Sequence, residues 1–99
     1  MIVVAGHIDV DPANEAKVDP IARTMMEETR RETGCRVYDI TRSLETPGRL
    51  HLYEEWDDLA ALEAHFDTPH MKTWREALAA LGVLGRQVAR MEAGEPTAL

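Results

Sequence analysis

The most constraining feature of the sequence is an alternating stretch, residues 51–56, that passes directly into a helical pattern. Side chains of a β-strand point alternately to its two faces. The residues predicted to share one face are Leu52, Glu54 and Trp56. Asp57 or Asp58 can then accept hydrogen bonds from the free amides of a helix N-terminus. Apolar residues follow at helical spacing, at Leu59, Leu62 and Phe66. The stretch therefore predicts a strand followed by a helix that packs on its sheet.

Similar patterns in the rest of the chain predict three more strands and two more helices. Strands are predicted at residues 1–10, 35–42, 49–56 and 84–91. Helical stripes predict one helix that ends at Gly34, the helix behind Asp58, and a third helix with Thr68 as cap and Pro69 at its first position. The order β, α, β, β, α(α), β is that of the ferredoxin-like split βαβ fold. We therefore predict an α+β domain with an antiparallel four-stranded sheet that carries its helices on one face.

The start of the first helix has two interpretations, because Asp11-Pro12 and Asp19-Pro20 both show a cap followed by proline. The helix begins near Ala13 and is irregular at Pro20, or the residues before Asp19 form a loose turn. The early start is the favoured interpretation.

At 99 residues the chain has room for one small domain. We predict that residues 1–92 form this domain and that residues 93–99 are a C-terminal tail, because no core-forming pattern follows the last strand. A domain of this size buries only roughly 60–65% of its unfolded surface. Whichever strand face the helices cover, aliphatic side chains stay exposed on the other. Two sheets packed face to face would cover them, so a homodimer is predicted.

The charge of the chain argues against several kinds of partner. Eleven basic and eighteen acidic residues give a formal net charge of 11 − 18 = −7, without a clustered basic stripe. Nucleic acid and membrane surfaces are therefore not predicted as partners. Residues 1–5 lack the pattern of a signal peptide, so a cytoplasmic protein is predicted. The single Cys35 has no second thiol to pair with and is predicted to be a small buried strand residue.

His65 and Glu54 are the pair best suited to chemistry. His65 lies three residues after Leu62 and one before Phe66, at the border of the apolar stripe, so it is predicted to point inward. A carboxylate on the strand below, Glu54, would fix the tautomer of the ring and raise its basicity. The alternative is that the two groups only satisfy each other as a polar lock between helix and strand.

The remaining histidines and aromatic residues are weaker candidates. His7 lies on the strand face opposite the most hydrophobic row, where it lines a site or faces solvent, and His51 and His70 are predicted to be surface residues. Four residues are most simply explained as members of the hydrophobic core, and the alternative is that they line an aromatic pocket: Trp56, Tyr53, Met71 and Trp74. No metal site is predicted, because no Cys or His pair has metal-ligand spacing on a single element.

Several motifs lie along the chain in a familiar order. They are Tyr-Glu-Glu-Trp at 53–56, Leu-Glu-Ala-His at 62–65 and Thr-Pro-His-Met-Lys at 68–72, preceded by Val-Asp-Pro at 10–12 and Glu-Thr-Gly-Cys-Arg-Val-Tyr-Asp at 32–39. Together they resemble the antibiotic biosynthesis monooxygenase (ABM) family, and within it the small bacterial quinol monooxygenases. The resemblance covers nearly the whole chain apart from the tail.

The resemblance implies a homodimeric α+β barrel with a pocket between sheet and helices in each subunit. The implied reaction is oxidation of a quinol or polycyclic phenol by dioxygen without a cofactor, with His65 and Glu54 as catalytic residues. Donors that stabilise the substrate oxyanion would be Arg75, Tyr53 or His7. The full set predicted to contact substrate is Trp56, Tyr53, His7, Met71, Trp74 and Arg75. Haem-degrading members are similar in fold but place Asn, Trp and His where this chain has His7, His65 and Arg75, so haem cleavage is not predicted.

Two other functions are compatible with the same residues. An isomerase or other proton-transfer enzyme on a small metabolite would use His65 and Glu54 and would turn over without oxygen. A non-catalytic dimeric module that binds small molecules would keep Glu54, Trp56 and His65 for packing alone.

Overall fold

Four strands and three helices follow one another in the predicted order in the computed structural model, which describes residues 1–99. The strands are β1 (Ile2–Val10), β2 (Cys35–Arg42), β3 (Arg49–Trp56) and β4 (Val83–Glu92), and the helices are α1 (Glu15–Arg30), α2 (Leu59–Phe66) and α3 (Pro69–Leu81). The strands form one antiparallel sheet in the order β2-β3-β1-β4. The predicted ferredoxin-like α+β fold is confirmed.

The first helix begins early, as favoured. Asp11 accepts a hydrogen bond from the Ala13 N–H at 2.9 Å and caps a short 3-10 turn at Pro12–Asn14. α1 follows at once and continues through Pro20. Since proline has no N–H, the helix lacks one backbone hydrogen bond at that position without ending there.

Side-chain caps fix the two consecutive helices that follow β3. Asp58 accepts a hydrogen bond from the Ala61 N–H at 2.8 Å, and Thr68 accepts one from the Met71 N–H at 3.3 Å. Gly82, with φ of 83°, ends α3 in the left-handed conformation that glycine adopts most readily. These caps bring the last turn of α2 beside the first turn of α3.

The hydrophobic core lies between the helices and one face of the sheet. The strand register sets this face, because Val4 of β1 pairs with Glu54 on β3 and with Arg90 on β4. The buried core residues come from β1, β2, β3 and the three helices and include Ile2, Val4, Ile8, Val18, Met25, Tyr38, Leu52, Trp56, Leu62, Trp74 and Leu78. No element of the chain covers the opposite face, called here the open face, on which Ala5 pairs with Tyr53 and Ala89.

The strand β4 lies at the edge of the sheet and is largely exposed. Residues 93–99 follow it without secondary structure. The backbones of Met1 and Ala93 exchange two hydrogen bonds of 2.9 Å, and Arg36 binds Glu95 at 2.7 and 3.1 Å. The first residues after β4 are thus attached to the body of the domain.

Cys35 is half-buried at the first position of β2, whereas the sequence predicted a buried residue. Its partial burial, together with the negative charges of Glu32 and Glu54, raises the pKa of its thiol to about 11. The thiol is therefore not ionised at neutral pH, and a reactive thiolate is not expected.

None of the three helices combines the length and the apolar composition that crossing a membrane would require.

We expect Gly6→Ala to destabilise the fold strongly. Gly6 has φ of +154°, and a Cβ there would lie 2.0 Å from the backbone oxygen of Gln87 and 2.6 Å from Cα of Val88 on β4. Separating β1 from β4 should lower the free energy of unfolding by about 3 kcal/mol and Tm by roughly 12 °C or more, measured by thermal and urea denaturation.

Gly85→Ala is the matched control, because its nearest neighbour, an Asp9 carboxylate oxygen, is 3.8 Å away. Equal stability of the two variants would contradict the close approach of β1 and β4 at Gly6.

Candidate active site

The ring of His65 is enclosed at the end of α2. The residue is 1% exposed and points toward the sheet, as the sequence predicted. Its ring centroid lies 4.9 Å from that of Trp56 and 5.5 Å from that of Tyr38. The two aromatic rings, which come from β3 and β2, hold the imidazole in place.

One nitrogen of this ring is bound to Glu32, in the turn between α1 and β2. Nδ1 of His65 lies 2.6 Å from Oε2 of Glu32, and Nε2 of His70 lies 2.8 Å from the same oxygen. An ionised carboxylate only accepts hydrogen bonds, so it favours the His65 tautomer that carries its proton on Nδ1. Nε2 is then left with a free lone pair.

The second ring nitrogen opens on a cavity. Nε2 of His65 makes no hydrogen bond within the chain. The Thr29 hydroxyl is the only fully enclosed polar side-chain atom without a partner, so the unpartnered Nε2 is not fully enclosed. His65 also lines a cavity of about 460 Å³ between the sheet and helices α2 and α3. A neutral His65 therefore presents an unprotonated nitrogen to this space.

The predicted hydrogen bond between His65 and Glu54 is not formed. Glu54 is 7% exposed, and its Oε1 accepts a hydrogen bond from Nε1 of Trp56 at 2.9 Å. The indole two residues along the same strand face satisfies this carboxyl, while Glu32 reaches the imidazole from the turn before β2. His65 and Glu54 do line the same cavity, as two separate titratable groups.

Burial moves the pKa values of these two groups in opposite directions. It raises the pKa of Glu54 to about 7, although the Trp56 N–H opposes the shift. It lowers the pKa of His65, although the hydrogen bond to Glu32 opposes this. Near neutral pH the cavity thus contains an uncharged imidazole and a carboxyl group that carries a proton about half of the time.

The cavity walls are mostly apolar, with a few charged groups. Of the predicted contact residues, Met71, Trp74 and Arg75 line it. Three further polar residues lie on the lining. Tyr38 on β2 was not among the predicted contact residues, and Arg86 and Arg90 on β4 were overlooked. The spacing of Arg86 and Arg90 places both on one face of their strand, but the sequence does not say which face the helices cover.

Three predicted contact residues lie elsewhere. His7 and Tyr53 are on the open face, because the strand period that points Val4 and Glu54 toward the helices points their neighbours away. The Tyr53 hydroxyl donates to Glu55 at 2.8 Å. Trp56 is fully buried beneath the His65 ring and does not border the cavity.

Glu32 and His70 were missed as site residues. His70 was predicted to be a surface residue, yet its side chain is only 17% exposed and binds Glu32. Glu32 lies in a turn, where no periodic pattern shows the direction of a side chain. Glu32, His65 and His70 place one possible ligand atom each within 4.8 Å of one another, so they are the residues here that could hold a metal ion.

The family model for antibiotic biosynthesis monooxygenases matches residues 1–77. The chain belongs to the ABM family. The family resemblance in the sequence motifs is thereby confirmed, and the buried histidine and its cavity are the candidate active site of an ABM-family protein.

Individual relatives agree with this assignment. YgiN of Escherichia coli, named a probable quinol monooxygenase, is 29% identical over 89 residues, which cover 79% of this chain and 85% of YgiN. Protein sll1783 of Synechocystis is 33% identical over 75 residues, or 76% of this chain, which spans about half (51%) of that relative's length. The structure of Rv0793 from Mycobacterium tuberculosis matches with a TM-score of 0.86 and 25% identity, over 98% of each chain. The description of the family and the name of YgiN both state a monooxygenase.

We expect the free energy of unfolding to depend on pH through the buried carboxyl of Glu54. Its pKa is raised by folding from 4.5 to about 7, so its favourable contribution is complete below pH 4.5 and is lost as the pH rises through 7. Relative to Glu54→Gln, which keeps an acceptor for Trp56, the wild-type free energy of unfolding should fall by about 2 to 3 kcal/mol between pH 5 and pH 8.

Urea denaturation at the two pH values measures this difference. Glu55→Gln changes the next residue of the strand, which lies on the open face. The difference in free energy of unfolding between wild type and Glu55→Gln should be the same at pH 5 and pH 8. A pH-independent difference for Glu54→Gln would mean that Glu54 is ionised throughout.

Proposed function

We propose that this protein is a cofactor-independent monooxygenase that oxidises a quinol or a polycyclic phenol with dioxygen. The observation that supports it most directly is the buried His65, whose Nδ1 is held by Glu32 and whose Nε2 opens on a mostly apolar cavity. A base in a cavity of about 460 Å³ suits an aromatic substrate with an acidic hydroxyl. Membership of the ABM family and the name of YgiN support the same reaction type.

In this proposal His65 removes the proton of the substrate hydroxyl through Nε2. The resulting phenolate gives one electron to dioxygen, and the two radicals combine at a ring carbon to form a peroxide. Loss of the hydrogen on that carbon and cleavage of the O–O bond yield a quinone and water. One oxygen atom enters the product and the other leaves as water, so the sum is phenol plus O₂ to quinone plus water.

The base needs help from its surroundings. A phenol with a pKa near 10 and an imidazole near 6.5 differ by about 3.5 pKa units, an uphill transfer of about 5 kcal/mol. Because burial lowers the pKa of His65, the difference in the cavity is larger still. The arginines on the lining, Arg75, Arg86 and Arg90, supply positive charge that stabilises the phenolate. Glu54, half protonated near neutral pH, can donate a proton to the departing oxygen.

Oxygen consumption over a panel of reduced quinones and anthrone-like phenols tests this function. We expect wild-type protein to consume O₂ faster than autoxidation does, and His65→Gln to lose about 100-fold or more of that rate. His51→Gln, a strand histidine on the open face and outside the cavity, is the matched control and should keep the wild-type rate while sedimentation shows the same mass as wild type. Circular dichroism establishes that both variants are folded.

Full activity in folded His65→Gln would contradict the role of the base. If the whole panel gives no uptake, but solvent deuterium enters a ligand anaerobically with the wild type and not with His65→Gln, the isomerase interpretation replaces the monooxygenase. Binding without either reaction would favour the non-catalytic module.

The proposal includes a homodimer formed through the open face. Tyr53 is 41% and Met91 47% exposed there, beside Ala5 and Ala89, and the chain has no element to cover them. Sedimentation equilibrium should give twice the chain mass of 11.1 kDa. Met91→Asp should shift the equilibrium toward monomer, whereas Leu44→Asp, at an exposed residue of the loop between β2 and β3, should not. A wild-type mass of one chain would exclude the dimer.

A further inference from the structure

Three segments of the chain converge on one carboxylate oxygen. Glu32 comes from the turn before β2, His65 from the last turn of α2, and His70 from the first turn of α3. The two imidazole nitrogens lie 2.6 and 2.8 Å from Oε2 of Glu32, and all three atoms lie within 4.8 Å of one another. Sequence spacing on single elements could not reveal this set, because each residue belongs to a different segment.

We propose that Glu32, His65 and His70 form a binding site for a divalent first-row transition metal, with Zn²⁺ as the representative ion. Two imidazole nitrogens and one carboxylate oxygen are a donor set that suits zinc, cobalt, nickel or iron. Magnesium and calcium prefer oxygen ligands and are poorly served by two imidazoles. The metal would take the place of the two imidazole N–H protons that now donate hydrogen bonds to Glu32.

The required movement is small. Ligand atoms around a tetrahedral Zn²⁺ at about 2.0–2.1 Å are about 3.3 Å apart, so the contacts of 2.6 and 2.8 Å must widen by about 0.7 and 0.5 Å. The two imidazole nitrogens, which lie within 4.8 Å of each other, must approach by up to about 1.5 Å. His65 is fixed between Trp56 and Tyr38, but the side chains of Glu32 and His70 are 14% and 17% exposed. These two ligands can shift, and they give an ion access from solvent.

Metal binding would change what His65 presents to the cavity. A neutral imidazole that coordinates through Nδ1 carries its proton on Nε2. The proton lost from Nδ1 is thus gained at Nε2, and the ring turns from an acceptor into a donor on the cavity side. If His65 is the base proposed above, the metal inhibits the enzyme; this consequence, unlike the site itself, rests on the proposed function.

Titration with Zn²⁺ and Co²⁺ tests the site. Metal-free wild-type protein should bind one Zn²⁺ per chain by calorimetry, and Co²⁺ should produce visible d–d absorption bands. Mg²⁺ should not compete. His70→Ala, which leaves the His65 and Glu32 contact in place, should weaken Zn²⁺ binding by at least about tenfold. His51→Ala removes an exposed histidine near His7 and should bind as wild type does.

The outcomes separate the site from the proposed reaction. Absence of stoichiometric Zn²⁺ binding, or equal binding by wild type and His70→Ala, would overturn the site even if the enzyme consumes O₂. The ¹⁵N shifts of His65 should show Nδ1–H without metal and Nε2–H with Zn²⁺, a readout that needs no turnover. Where O₂ uptake is found, Zn²⁺ should suppress it in wild type, EDTA should restore it, and uptake unaffected by bound Zn²⁺ would overturn the inhibition.

Discussion

A hydrogen bond between a buried imidazole and a carboxylate organises the helical side of this domain. An imidazole that is 1% exposed must have its N–H group satisfied inside the protein, and Glu32 does this for His65 at 2.6 Å. Because Glu32 also binds His70, the same carboxylate joins the turn before β2 to both of the following helices. The orientation of the ring, and with it the nitrogen that opens on the cavity, depends on this contact.

The sequence was sufficient for the fold because the fold depends on local patterns. Period-two alternation, the caps at Asp58 and Thr68, and glycines after the first and third helices each determine one element, and together they allow few topologies. The inward direction of His65 followed from the same helical period. Its partner did not, because Glu32 is separated from it by 33 residues and lies in a turn without periodicity.

Periodicity also shows which residues share a face without showing which face is covered. His7 and Tyr53 were therefore predicted to contact substrate although they lie on the open face, and Arg86 and Arg90 were overlooked on the face that the helices cover. Glu54 was placed correctly, but its proximity to the indole of Trp56 depends on rotamers that sequence does not specify. Position in the fold was thus predictable for most of the site, whereas the hydrogen-bonding partners were not.

The buried carboxyl of Glu54 has a consequence for ligand affinity. The formal charge of −7 counts this group as ionised, although its pKa is about 7. An anion that enters the cavity would favour the protonated form, so binding would draw a proton from the buffer. The heat of binding would then vary with the ionisation enthalpy of the buffer, and affinity for anionic ligands would weaken in alkaline solution.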